Sequence, residues 1–295
     1  MTNNKKIFFG RIFLFSASLL WGVSFVLMKN VLTNIPPLHI LTIRFCGAAL
    51  LLLPFCAGKL RALDKDYLRG GVIMGVALLL GYAFQTFGLR LTTPGKNAFL
   101  TAAYCIITPF LYWALMKKKP DKYNATAALI CIAGIGLITL DADLHVGAGD
   151  ALTLISGFFF ALHIIATTRF VEGRNPVILA MLQFATVGLL SFAGALIFEQ
   201  APAVVSTTDI LSIAFLMVVC TAACLLLQVI GQKYTPPSQA AVILTFESVF
   251  GVIFSVILVN EQFAPQVVLG FALTFAAVII SETKLNFLQN IMKKR

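Results

Sequence analysis

Residues 85–98 read QTFGLRLTTPGKNA and residues 228–241 read QVIGQKYTPPSQAA. Set in register, Gln85, Gly88, Thr92, Pro94 and Ala98 recur as Gln228, Gly231, Thr235, Pro237 and Ala241 at a constant offset of 143, with Arg90 opposite Lys233. Five identities in fourteen ungapped positions mark an internal repeat. Each copy covers the junction between two long apolar runs, so the chain is built from two related halves.

The composition says what those halves are made of. Of 295 residues, 59% are hydrophobic and 12% charged, about half the charge fraction of a soluble chain. Mean hydropathy is +0.94. A membrane-crossing helix takes about 20 apolar residues, and ten candidate spans can be bracketed: 10–32, 38–57, 69–90, 96–116, 125–140, 149–170, 176–198, 210–231, 238–259 and 265–281. Pro36-Pro37, Thr93-Pro94-Gly95, Gly147-Ala148-Gly149, Asn175-Pro176 and Pro236-Pro237 punctuate them. The first run is longer than a secretory signal core and is read as a retained helix. Ten spans leave no room for a large soluble catalytic domain.

The formal charge of +10 orients the chain. With the N-terminus inside, 18 of the 22 Lys and Arg residues fall in segments facing the cytoplasm, while segments 141–150 and 199–209 contain none. Adding or dropping one span scrambles this alternation. The expected fold is therefore all-α integral membrane, ten transmembrane helices with both termini cytoplasmic in a bacterial plasma (inner) membrane. Because each half has an odd number of spans, the second enters from the opposite side, giving two inverted five-helix repeats, residues 1–140 and 149–282, followed by a basic cytoplasmic tail at 283–295. Inverted halves can exchange roles around a midplane site, which is how secondary carriers work; a passive channel is also compatible.

Several stretches resemble one known family: Trp21-Gly22-Val23-Ser24-Phe25, Arg44-Phe45, Gly88 to Pro94 with Asn97-Ala98-Phe99-Leu100, and Asn260-Glu261. They look like the paired modules of EamA-type transporters in the drug/metabolite transporter superfamily, and the likeness spans nearly the whole chain. It implies a ten-helix carrier of small metabolites, often amino acids or related compounds leaving a bacterial cell, with a cavity lined by helices 1, 3, 4, 6, 8 and 9. Two departures stand at helix ends: Asn260 replaces the usual glycine, and Lys118 stands where an acid would follow the fourth helix.

Polar groups at membrane depth are costly and face a cavity or a partner. Trp21, Gln85, Tyr104, His163, Gln228 and Glu247 are the candidate substrate-contacting set, and Glu247 is the most informative. It is read either as an ammonium or proton site or as an interhelical hydrogen-bond partner; Tyr104 is its counterpart at offset 143. His163 is read as a proton relay or substrate contact against a satisfied interhelical bond, and Trp21 as a cavity wall against ordinary packing. Gln85 and Gln228 are as well explained by a bond that closes each half. A second set, Arg44, Lys96 and Asn97, is assigned to anion contact. For Arg44 the competing reading is snorkelling or pairing with a loop acid, and for Lys96 an interfacial anchor.

All six cysteines lie in or beside apolar runs without a Cys-x-x-Cys pair and are read as small hydrophobes. No phosphate loop, metal set or nucleophile–base spacing occurs, so neither an enzyme nor an ATP-driven pump is expected, and no cofactor, metal or nucleic acid. The expected partners are a small-molecule substrate and membrane lipid, with monomer and homodimer both open. The leading function is a secondary transporter, in the exporting direction, of small metabolites such as amino acids. A carrier of a nucleotide-like or other anionic metabolite is the alternative within transport, and a non-transporting receptor or scaffold the alternative outside it.

Overall fold

The structure, a computed structural model, describes residues 3–56, 58, 63–117, 119–140 and 146–283; Lys118 and most of the 283–295 tail lie outside the described residues. Ten helices follow in order: α1 (Asn3–Val31), α2 (Pro37–Cys56), α3 (Lys65–Leu91), α4 (Pro94–Met116), α5 (Lys122–Thr139), α6 (Ala148–Val171), α7 (Pro176–Phe198), α8 (Thr207–Gln232), α9 (Pro237–Val259) and α10 (Pro265–Thr283). Helix is the form that pairs every backbone group internally, as a bilayer requires. Nine are long and apolar enough to cross; α10 is shorter over its fully described stretch, Pro265–Ile280.

The helix ends follow local chemistry. Proline opens α2, α4, α7, α9 and α10, where its missing N–H is no loss. Asp64, Asp121, Asn175 and Ser206 accept backbone N–H bonds at the starts of α3, α5, α7 and α8. At the far ends of α4 and α9, Lys117 (φ 60°) and Asn260 (φ 53°) take left-handed conformations. They stand 143 residues apart, so the repeat extends to the caps, and Asn260 adopts the conformation that the family's glycine would.

Two helices depart from the expected uniform rods. In α4 the helix breaks at Ala102 and Ala103, between Pro94–Thr101 and Tyr104–Met116. Pro109 lies within the second segment, where it supplies no N–H to the carbonyl of Cys105 and its ring crowds that carbonyl. The preceding turn tightens, with Cys105 and Ile106 donating to carbonyls only three residues back, at 3.0 Å each. In α8, Leu216–Ala223 widens to a π-helix, and the Thr221 hydroxyl donates to the Leu216 carbonyl five residues back at 2.8 Å.

Helix packing reproduces the repeat. The main helix pairs map onto one another when each helix is exchanged for its counterpart in the other half: α3–α6 with α1–α8, α1–α9 with α4–α6, and α3–α7 with α2–α8. The pairs α2–α7, α4–α9 and α5–α10 map onto themselves, as expected for helices that meet across a two-fold axis. Most of the core lies among α1, α2, α3, α6, α7 and α8, whereas α5 and α10 pack chiefly on each other.

The recurring glycines sit where helices approach most closely. A Cβ on Gly88 would stand 2.8 Å from the Gly149 carbonyl oxygen across the α3–α6 crossing, and one on Gly231 equally 2.8 Å from that of Gly10 across α8–α1. Backbone faces both sites, so neither crossing can yield by a rotamer change. Gly88→Val and Gly231→Val are each expected to cost about 1–3 kcal/mol and lower the melting midpoint in detergent. Gly147→Ala, which meets open space, serves as the neutral control; equal melting of all three variants would remove the packing argument.

Candidate functional site

The offset of 143 places Tyr104 on α4 and Glu247 on α9, two helices that pair across the pseudo-two-fold axis. In the fold these counterparts meet: the Tyr104 hydroxyl lies beside the Glu247 carboxyl and the Thr245 hydroxyl, short of full hydrogen-bond geometry. The α4 break delivers Tyr104 there, since the second helical segment starts at that residue.

Around this pair lies a cavity lined by α1, α3, α4, α6, α8 and α9, among them Trp21, Tyr82, Gln85, His163, Gln228 and Glu247. These are the six helices that the family resemblance implies. Its volume is ≈ 40 Å³, room for a few water molecules at most and far below the few hundred Å³ of an ordinary ligand pocket. The conformation is closed around the site, and a metabolite enters only when helices part.

Each candidate is held in a definite way. Trp21 donates its indole N–H to the Cys220 carbonyl at 2.7 Å, a group within the π-helical stretch of α8. His163, 1% exposed, bonds through Nε2 with Gln183 Oε1 at 2.9 Å and stands 3.2 Å from the Thr167 hydroxyl. The Gln85 amide donates to the Thr101 hydroxyl at 3.1 Å, and its backbone carbonyl accepts from Asn97. Gln228 faces the cavity without a hydrogen-bond partner among the described residues. The two glutamines thus differ: one ties α3 to α4, the other is left to the cavity.

Arg44 is 2% exposed and reaches neither a headgroup position nor a loop acid. Its Nε donates to the Thr221 hydroxyl at 3.0 Å, Nη1 approaches Met28 Sδ at 3.7 Å, and Nη2 is buried without a partner. The guanidinium carbon stands 5.1 Å from the Tyr82 ring centroid and 5.8 Å from that of Phe45. No carboxylate lies within ion-pair distance among the described residues. Arg44 lines a small pocket that shares Ser24, Phe25, Tyr82 and Gln85 with the Glu247 cavity.

The remaining anion candidates are engaged elsewhere. Lys96 stands 3.7 Å from Asp150, whose other oxygen accepts from Thr92 at 2.6 Å. Asn97 donates to the Thr153 hydroxyl at 2.7 Å and the Gln85 carbonyl at 3.2 Å. The N-terminus of α4 already holds an anion, because Glu261 accepts from the Gly95 N–H at 3.0 Å. Sequence reasoning did not single out Tyr82, Gln183 or Thr221. Each is an ordinary residue in an apolar helix and becomes informative through its neighbour.

Inverted five-helix halves closing on a polar cavity are an architecture common among secondary transporters. The EamA-like transporter family model matches residues 8–140 and again 147–283, and the chain belongs to that family. An uncharacterized transporter of Archaeoglobus fulgidus is 33% identical over 263 residues, covering 89% of this chain and 82% of the relative. The uncharacterized transporter YoaV of Bacillus subtilis is 25% identical over 280 residues, covering 90% and 94%. A crystal structure sharing 16% identity superposes with a TM-score of 0.72 over 95% of this chain and 98% of its own, a likeness of fold. The protein is a multi-pass membrane transporter of small molecules and not an enzyme.

Proposed function

We propose that the protein carries a zwitterionic metabolite of the amino-acid class by alternating access. The observation that supports this most is the placing of an acidic and a basic side chain in adjoining pockets: the Glu247 carboxyl in one and the partnerless Nη2 of Arg44 in the next, with Tyr82, Gln85, Ser24 and Phe25 lining both. Glu247 receives the substrate ammonium and Arg44 the carboxylate, while Trp21, Tyr104, His163 and Gln228 complete the wall. An anionic metabolite fits less well, because Lys96 has its own acid. Export as the direction rests on the family resemblance alone. Reconstituted protein should exchange labelled amino acids across liposomes saturably; organic anions outcompeting the whole amino-acid panel would replace this reading with the anionic one.

The two repeats are assigned to residues 1–140 and 149–282, with both termini and the 283–295 tail on the cytoplasmic face of a bacterial plasma membrane. The charge bias supports this orientation. So does the sorting of contacts in the fold: Asp66, Arg174 and Lys233 join at one end, and Asp150, Glu199, Asp209 and Glu261 cap or pair at the other. Val204, exposed between α7 and α8, tests it. A Val204→Cys variant should react with a membrane-impermeant maleimide added outside intact cells; reaction only after permeabilisation reverses the orientation.

A further inference from the structure

A second hollow is larger than the central cavity. A groove of ≈ 670 Å³ runs between α3, α6 and the end of α4. Its walls are apolar, with Val76, Leu80, Leu115, Phe159 and Leu162 along its length, and Val76 and Leu115 are themselves exposed, so the groove opens sideways toward the bilayer. At one end stand three arginines, Arg69, Arg169 and Arg174, with Asp66.

The charges at that end are unequally matched. Asp66 is bound to Arg174 at 3.0 Å. Arg174 also donates to the Phe170 carbonyl at 3.3 Å and stands 5.9 Å from the Tyr67 ring centroid. Together they form one end wall of the groove. Arg69 and Arg169 have no carboxylate within ion-pair distance among the described residues. Orientation by the positive-inside bias explains basic residues at this level of the membrane, but it does not explain their convergence on one end of a hollow between helices.

We propose that this groove binds an anionic phospholipid, with an acyl chain along Val76, Leu80, Phe159 and Leu162 and the headgroup phosphate held by Arg69 and Arg169. Guanidinium groups suit phosphate oxygens because they donate in a planar fork, and basic pockets between helices on the cytoplasmic side are sites for acidic headgroups. The net charge decides between lipids. Choline or ethanolamine would set a cation beside two arginines that already lack counter-charge, whereas a glycerol headgroup adds none.

The test is lipid retention. The full chain is purified in mild detergent from membranes containing equal phosphatidylglycerol and phosphatidylcholine, and bound lipid is measured by native mass spectrometry. Retained phosphatidylglycerol should exceed phosphatidylcholine at least fivefold, at about one per protein. The double variant Arg69→Gln/Arg169→Gln should lose that excess. Val76→Trp, which fills the groove and leaves both arginines, should lose the bound lipid altogether. Lys5→Gln/Lys6→Gln, which removes two exposed charges near the same end of the bundle, should keep it. Equal retention of both lipids overturns the proposal, as does unchanged retention in either groove variant or equal loss in the Lys5/Lys6 control. Melting midpoints of all variants separate lost binding from lost folding.

Discussion

Glu247→Gln is expected to reduce amino-acid flux in proteoliposomes ten- to a hundredfold. The substitution keeps the side chain's size and its place beside Tyr104 while removing the charge and the titrating proton. A charge-assisted hydrogen bond in a buried site contributes about 1.5–3 kcal/mol, and 1.4 kcal/mol corresponds to a factor of ten. Glu247 is 6% exposed and lines a cavity too small for substrate in this conformation, so its contact with an ammonium forms when the helices separate. The flux that remains should also lose the part of the wild-type pH dependence that a carboxyl proton at that position supplies, because the variant has none to exchange there. Wild-type flux with a wild-type pH profile would instead make Glu247 an interhelical partner of Tyr104.

Arg44→Met is expected to do two opposite things: to hold or raise the melting midpoint, and to lower transport of substrates carrying a carboxylate about tenfold or more. A buried cation without a counter-ion costs stability, and replacing it by an apolar side chain of similar length is often neutral or stabilising. The Thr221 hydroxyl still donates to the Leu216 carbonyl, so the variant leaves no new donor unpaired there. Decarboxylated amines should be transported nearly as before, since they have no group for Arg44 to hold. If amines and amino acids lose flux equally and the midpoint falls, Arg44 is a structural pin between α2 and the π-helical stretch of α8. The Tyr82 ring, 5.1 Å from the guanidinium carbon, lines both pockets.

Much of the architecture is legible in the residues. The 85–98 and 228–241 stretches reveal the repeat because close backbone approach leaves glycine little alternative: Gly88 and Gly231 each meet a glycine carbonyl of the opposite half. The offset also links Tyr104 with Glu247, and their meeting follows from the inversion, since counterparts near the axis must face each other. The α4 break is not legible in the sequence, because many membrane helices carry a proline such as Pro109 without breaking. The π-helical stretch of α8 has no sequence mark at all.

The candidate site was less legible, and the reason is physical. An amphipathic soluble helix announces its inner face by its polar stripe, but helices that are apolar all round do not. Their sequence does not say which side of α2 faces the core or that Arg44 points at Thr221, so Arg44 and Lys96 looked alike as cations near one end. Packing separates them: Lys96 reaches Asp150, while Arg44 is enclosed with an unpartnered nitrogen. Span number, the two halves and the charge bias belong to the sequence itself, because bilayer thickness and the membrane's charge rule act on each segment locally. The shared cavity of Glu247, Tyr104, Trp21 and Gln228, the isolation of Arg44 and the arginine-ended groove belong to the tertiary structure, because they depend on how each helix is rotated against its neighbours.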